Sequence, residues 1–176
     1  MNPIRFADTP LLGLLPLALL LLPVLGLAKA SDRNQPMTID AGGQTGTLEG
    51  SGTTVLSGGV SVQQGTLDIR SERGELVMRN GEIVRVVFTG APATMRQEME
   101  DGSPMSATAN RIDYDMTTEV VTFTGSYKVS SPTGSNSGER MVYNLRTGNL
   151  QAGGDGTRVR TVIQPRRPAP APPGGN

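Results

Sequence analysis

The sequence predicts an all-β domain of many short antiparallel strands, and three observations carry that prediction. Period-two alternation of apolar and polar residues is frequent between Met37 and Gln164, where helical periodicity is nearly absent. One pattern, an arginine followed by apolar residues at alternate positions, returns as Arg73–Met78 (RGELVM), Arg111–Met116 (RIDYDM) and Arg140–Leu145 (RMVYNL). Turn signals rich in glycine separate the alternating stretches. A repeat of this length suggests stacked β units that share one continuous core.

Residues 1–30 read as a cleaved signal peptide. Arg5 lies in a short polar start, Leu11–Leu27 is apolar over 17 residues, and Ala28-Lys29-Ala30 supplies the small-x-small pattern of a cleavage site. An uncleaved anchor is the rival reading, but 17 residues is the low end of the ~17–25 that span a bilayer, and Pro16 and Pro23 interrupt the run. Cleavage before Ser31 leaves 146 residues with 14 basic and 15 acidic side chains, exported from the cytoplasm. The expected domain is 31–164. Residues 165–176 (PRRPAPAPPGGN) read as a disordered Pro/Gly-rich tail.

Within the domain, Thr54, Leu56, Val60 and Val62 share one strand face, as do Val84, Val86 and Phe88, and again Val121, Phe123, Tyr127 and Val129. These strands align around a glycine, as VLSG ending at Gly58, VFTG at Gly90 and TFTG at Gly125. A glycine at a fixed place inside a strand predicts a repeated bulge or bend where the sheet turns a corner. Asn80-Gly81 and Asp101-Gly102 are strong hairpin signals, and Gln64-Gly65, Pro132-Thr133-Gly134 and Thr147-Gly148-Asn149 are good ones. Counting turns and corners gives roughly a dozen or more short strands. The segment Gly134–Gly138 (GSNSG) reads as a polar loop. In the arginine repeats the apolar positions should point inward, and the arginines should point outward with Glu75, Asp113 and Asp115 in cross-strand ion pairs.

The composition removes several function classes. There is no cysteine, so no disulfide or thiol chemistry, and no histidine, so no serine–histidine or histidine–metal site. Lys128 is the only lysine after the signal, and it alternates with Ser126 and Ser130 on an outer face, away from any buried nucleophile. Asp113 and Asp115 stand about 6–7 Å apart along a strand, a spacing compatible with a glycosidase pair, but a solvated strand face explains them better. No basic tract suggests nucleic acid. The inward face is more informative: valine, isoleucine, leucine and seven methionines with few aromatics, the composition of an adaptable apolar wall. Whether that wall fills itself or forms a trough stays open on composition alone.

The ordered sum of several segments resembles the LptA/OstA family of periplasmic lipopolysaccharide-transport bridge proteins. The segments are Val60–Ile69 (VSVQQGTLDI), Gly90–Gln97 (GAPATMRQ), Ala109–Tyr114 (ANRIDY), Val121–Gly125 (VTFTG) and Arg158–Val162 (RVRTV), within a run from Pro36 to Pro165. The resemblance implies a single open, slightly twisted β-jellyroll with a continuous apolar interior. It implies lipid A acyl chains carried inside, head-to-tail self-association, an inner-membrane-anchored LptC-like partner and an outer-membrane LptD-like translocon. It implies no enzyme activity and no cofactor. Burying a twelve-carbon acyl chain is worth about 10 kcal/mol gross, so such a lipid needs an escort across water.

By that resemblance the lipid-facing interior is Met37, Ile39, Leu56, Val60, Ile69, Leu76, Phe88, Met95, Ile112, Tyr114, Met116, Phe123 and Tyr143. Met95, Tyr114 and Met116 resemble the family's mid-groove lining, and Met37 and Ile39 its N-terminal mouth. The glycine-rich stretch Ala41–Gly46 is unusual for a first strand pair. Stacking edges are expected at Met37–Asp40 and Val159–Gln164, by strand addition. The competing readings are an anchored relative of the same pathway and a structural β-roll with a filled, lipid-free core.

Overall fold

The structure, a computed structural model, describes residues 29–154 and 156–165. The hydrophobic part of the expected signal peptide and residues 166–176 of the expected tail lie outside the described residues. A short 3-10 helix, Ala30–Asn34, precedes ten strands. They are β1 (Met37–Thr45), β2 (Gly52–Gln64), β3 (Leu67–Ser71), β4 (Arg73–Arg79) and β5 (Glu82–Glu98). Then follow β6 (Pro104–Asp115), β7 (Val120–Ser131), β8 (Gly134–Asn144), β9 (Leu150–Ala152) and β10 (Arg160–Ile163).

All ten form one antiparallel sheet in the order β1-β2-β3-β5-β6-β7-β8-β10. The two remaining strands, β4 and β9, pair beside this path. The first part of β2 pairs with β4 and its second part with β3, while β8 pairs with β9 and β10 at its opposite ends. Each long strand therefore contributes to two half-sheets. The junction is marked by register shifts between Ala41 and Gly43, Thr89 and Ala93, Thr108 and Arg111, and Thr124 and Tyr127. The expected glycine corners are these bulges. At β7 the chain turns through Gly125 and Ser126, both at positive φ, and a side chain on Gly125 would strike Asn110 of β6 at 2.7 Å.

The same corner explains the glycine-rich start of β1. A Cβ on Gly42 would stand 2.7 Å from the Gly58 carbonyl oxygen, so two backbones cross where no side chain fits. The strand count is ten rather than a dozen because strands run through the corners instead of ending there; β5 alone is 17 residues long. The segment expected as a polar loop is the first half of β8. Its backbone is laddered between β7 and β10, and Asn136 accepts the Tyr127 hydroxyl and donates to Thr161 at 2.9 Å. Ladder bonds on both sides substitute for apolar side chains.

Every glycine turn signal falls at a junction of strands, with Gln64 ending β2 and Gly134 opening β8. The turn from β6 to β7 lacks glycine and is held by the Asp115 carboxylate, which accepts N–H bonds from Thr117 and Thr118, both at 2.9 Å. One face assignment needs correcting. A bulge between Val77 and Met78 shifts the alternation, so Ile83, opposite Met78, packs on the core in place of Val84.

Candidate functional site

The interior is built from cross-strand rows. In the first half-sheet, Leu56 stands opposite Gly74, Gly74 opposite Phe88, Phe88 opposite Ile112, Ile112 opposite Phe123, and Phe123 opposite Met141. At about 4.8 Å per strand this row crosses some 24 Å of sheet. A neighbouring row runs Thr54, Leu76, Val86, Tyr114, Val121, Tyr143 and Leu150. In the second half-sheet the row is Ile39, Val62, Ile69, Met95, Ala107 and Val129. The two halves contribute to one hydrophobic cluster.

The thirteen expected interior residues separate by depth. Leu56, Val60, Ile69, Leu76, Phe88, Met95, Ile112 and Phe123 are buried in the cluster. Met37, Ile39, Tyr114 and Met116 are half-buried and packed against it. Tyr143 occupies the inward row, half-buried, between Val121 and Leu150, and burial pushes its hydroxyl pKa up. Several deep members were passed over by the sequence reading as site residues: Val62, Met78, Val86, Ala93, Ala107, Ala109, Val121, Tyr127 and Met141. Alternation marked most of them. Ala93 and Ala109, paired across β5 and β6 with 0% exposure, gave no signal because alanine is small enough to sit at a corner.

The core row is closed on itself. Leu56 is 1% exposed, and Ile112 and Phe123 are 2% exposed. A wide, solvent-open groove of about 620 Å³ lies instead at one end of the sheet, lined by Thr66, Arg96–Glu98, Pro104–Ser106 and Ser130–Pro132. A smaller one, about 410 Å³, lies beside the β1–β2 corner, lined in part by Asp40, Gly59 and Arg70. Neither is lined by Leu56, Phe88, Ile112 or Phe123.

A polar clasp borders the larger groove. Asp32, 5% exposed, accepts hydrogen bonds from the Thr66 hydroxyl at 2.5 Å and the Gln97 amide at 3.3 Å. Thr66 in turn accepts the Glu98 backbone N–H at 3.1 Å. Burial pushes the Asp32 carboxyl up, but the hydrogen bonds from Thr66 and Gln97, with Lys29 nearby, outweigh it and hold the pKa below the ordinary value. Gly65, at positive φ, leaves room for this carboxylate, since a Cβ there would meet Asp32 Oδ1 at 2.3 Å. The clasp ties the segment before β1 to the β2–β3 turn and the end of β5.

The outer face carries the charges. Arg73, Thr89, Arg111, Thr124 and Arg140 form one row across β4 to β8. The ion pairs of Arg73 with Glu75 (3.5 Å) and Arg111 with Asp113 (3.2 Å) run along single strands rather than across them as expected. The cross-strand pair is made by Arg85, which grips both Asp113 oxygens at 2.7 and 2.5 Å. Arg140 makes no ion pair among the described residues. Val87, of outward parity, is nevertheless buried, because it stands between Glu75 and Asp113 beneath these long charged side chains. The Asp113 pKa is lowered: burial pushes it up, and Arg85 and Arg111 more than reverse that. Asp115 is lowered too, chiefly by the Thr118 N–H. Neither carboxyl has the raised pKa a general acid requires.

Comparison with known proteins bears on this interior. Residues 38–149 match the model of the family described as LptA/(LptD N-terminal domain) LPS transport protein. The chain belongs to that family. It is 28% identical over 151 residues to the lipopolysaccharide export system protein LptA of Escherichia coli K12, covering 84% of this chain and 81% of that one. It is also 28% identical over 142 residues to LptA of Haemophilus influenzae, covering 78% and 82% of the two chains. Among solved structures it is similar to LptH of Pseudomonas aeruginosa, described as the LptA-homologous periplasmic component of a lipopolysaccharide transport device. That likeness has a TM-score of 0.68 and 27% identity over 77% of this chain and 99% of that one. The matched residues span both half-sheets from β1 to the turn after β8.

Proposed function

We propose that this protein is a periplasmic carrier that holds the acyl chains of lipopolysaccharide between its two half-sheets. It conveys them from the inner to the outer membrane along a head-to-tail stack of jellyrolls. An LptC-like membrane-anchored protein would supply the lipid and an LptD-like translocon would receive it. The observation that carries this reading is the uninterrupted apolar cluster running from β1 to β8 in a chain of the LPS-transport family. The lipid-facing residues are the thirteen named above, with Met95, Tyr114 and Met116 midway and Met37 and Ile39 at the N-terminal end.

The closed core favours one mode of entry. With the row packed on itself, an acyl chain enters as the two half-sheets hinge apart about the glycine corners, replacing wall-to-wall contacts with wall-to-lipid contacts. Both kinds of contact are apolar, so the exchange is close to balanced and successive positions along the interior differ little in free energy. Methionine at 95, 105, 116 and 141 suits such an exchange, because its unbranched chain refills irregular gaps. Tight, shaped binding would stall a cargo that has to move on. The open edges β1 and β10 would receive neighbouring copies by strand addition.

The chain has no cysteine, so a single introduced cysteine carries a unique spin label. A label at Met95 should change mobility when lipopolysaccharide is added, while one at outward Arg73 should not. An unchanged spectrum at 95 with lipid present in excess would count against the interior as the carrier.

A further inference from the structure

The two free edges of the sheet, β1 and β10, stand in a fixed register to each other. Cross-strand pairing carries Thr38 to Val162, Ile39 to Thr161 and Asp40 to Arg160, each through seven successive antiparallel pairs. The Asp40 row lies on the outer face and passes Arg70 and Lys128, so it begins on a carboxylate and ends on a cation. Asp40 and Arg160 are both exposed, and neither makes an ion pair among the described residues.

The backbone of the edges is set by two hydrogen bonds. The Gln164 N–H donates to the Thr133 carbonyl at 2.9 Å. Bonded and non-bonded pairs alternate along an antiparallel ladder, so the N–H and C=O of Arg160 and Val162 turn toward β8, and those of Thr161 and Ile163 turn to the free edge. The Met99 N–H donates to the Ser103 carbonyl at 2.9 Å, which fixes the β5–β6 ladder in the same way. Carried across β3 and β2, that alternation turns the backbone groups of Met37 and Ile39 to the opposite free edge.

We propose that copies of this chain join β10 of one to β1 of the next with Arg160 opposite Asp40, and that this ion pair selects both the register and the head-to-tail direction. At that register Thr161 meets Ile39 and Ile163 meets Met37, and each of these pairs exchanges both ladder bonds. Ile163, 82% exposed in one copy, is then covered on the inward face by Met37 of the next. Arg160 and Asp40 form a non-bonded pair with Cα atoms about 4.5 Å apart, the spacing that brings side chains closest. A shift of two residues keeps the faces but leaves Arg160 opposite Thr38 or Gly42. Two β10 edges joined about Thr161 set Arg160 against Val162, and two β1 edges joined about Ile39 set Asp40 against Thr38. The proposal rests on the reading of β1 and β10 as stacking edges and adds the contact that chooses between their possible pairings.

The chain has no cysteine, so singly substituted copies can be mixed and oxidised. Asp40→Cys mixed with Arg160→Cys should give a disulfide-linked dimer, because about 4.5 Å lies within the about 4.4–6.8 Å between Cα atoms that a disulfide bridges. Thr38→Cys mixed with Val162→Cys should do the same, and Asp40→Cys mixed with Val162→Cys should link far less. Equal linkage of one variant with itself would overturn the head-to-tail direction, and preferred linkage of 40 to 162 would overturn the register. In sedimentation, Arg160→Asp and Asp40→Arg should each weaken self-association about fivefold, and the double variant should regain the wild-type value. A double variant no stronger than the single ones would overturn the ion pair. No linkage in any mixture of a chain that self-associates would place the contact elsewhere and overturn the proposal. Wild type that stays monomeric at every concentration would instead overturn the reading of the two edges beneath it.

Discussion

Phe123 stands directly opposite Ile112 in the β6–β7 ladder, and both are almost wholly shielded from solvent at the middle of the first half-sheet. With Phe88 and Met141 flanking them they form the centre of the row that would face an acyl chain. Their packing also stabilises the fold, because no disulfide or metal cluster among the described residues shares that task.

Removing the ring therefore costs stability before it costs function. Phe123→Ala should destabilise the domain by about 3–5 kcal/mol, and Ile112→Val by about 0.5–1.5 kcal/mol. Urea unfolding of the purified domain checks both. Ile112→Val is the variant in which lipid binding can then be measured on a folded protein.

The corner makes a second, local prediction. Gly42→Val would drive a side chain into the Gly58 carbonyl, already 2.7 Å from an ideal Cβ. About 1–3 kcal/mol of overpacking is expected, expressed mainly in β1, which has only β2 as a neighbour. Hydrogen exchange should accelerate in β1 and leave β6 and β7 unchanged.

Acid should loosen the clasp and the outer face together. Asp32 and Asp113 both have folded-state pKa values below the ordinary 3.8. A lowered carboxyl contributes stability that is fully present above the ordinary value and is lost as pH falls through the folded value. Thermal stability should thus be insensitive to these groups from neutral pH down to about 5 and should fall below about 4. Asp113→Asn should lower the melting temperature at pH 7, and its gap from wild type should shrink in acid. A gap that widened in acid would contradict the assigned sign.

Self-association should depend on the C-terminal edge. Ile163 of β10 is 82% exposed, with Val162 beside it, an apolar edge that a monomer leaves uncovered. Ile163→Glu should fold normally and shift light scattering toward monomer. Equal oligomer size for variant and wild type would remove β10 as the stacking edge.

The sequence exposed most of this architecture because alternation and turn chemistry are local. Leu56, Phe88 and Phe123 could be placed inward from their neighbours alone, and Asn80-Gly81 marks a hairpin wherever it falls. What escaped depends on partners distant in sequence. Val87 is buried by charged side chains from β4 and β6, and Ile83 replaces Val84 because of a bulge whose cause lies across the ladder. The Gly134–Gly138 strand has no apolar residue to announce it and exists through bonds to β7 and β10. Asp32 lies next to the expected cleavage point, and only folding brings Thr66 and Gln97 to it. The closed state of the core is a property of two half-sheets together, which no single strand pattern encodes.

The proposed function requires acyl chains to occupy the interior. A photoreactive amino acid in place of Tyr114, half-buried on an inward row, tests it most directly in cells making lipopolysaccharide. A lipopolysaccharide adduct is expected at 114 and none at its outward neighbour Asp113. A folded, well-expressed protein that gave no adduct at 114, 95 or 123 would contradict it and leave a filled structural β-roll.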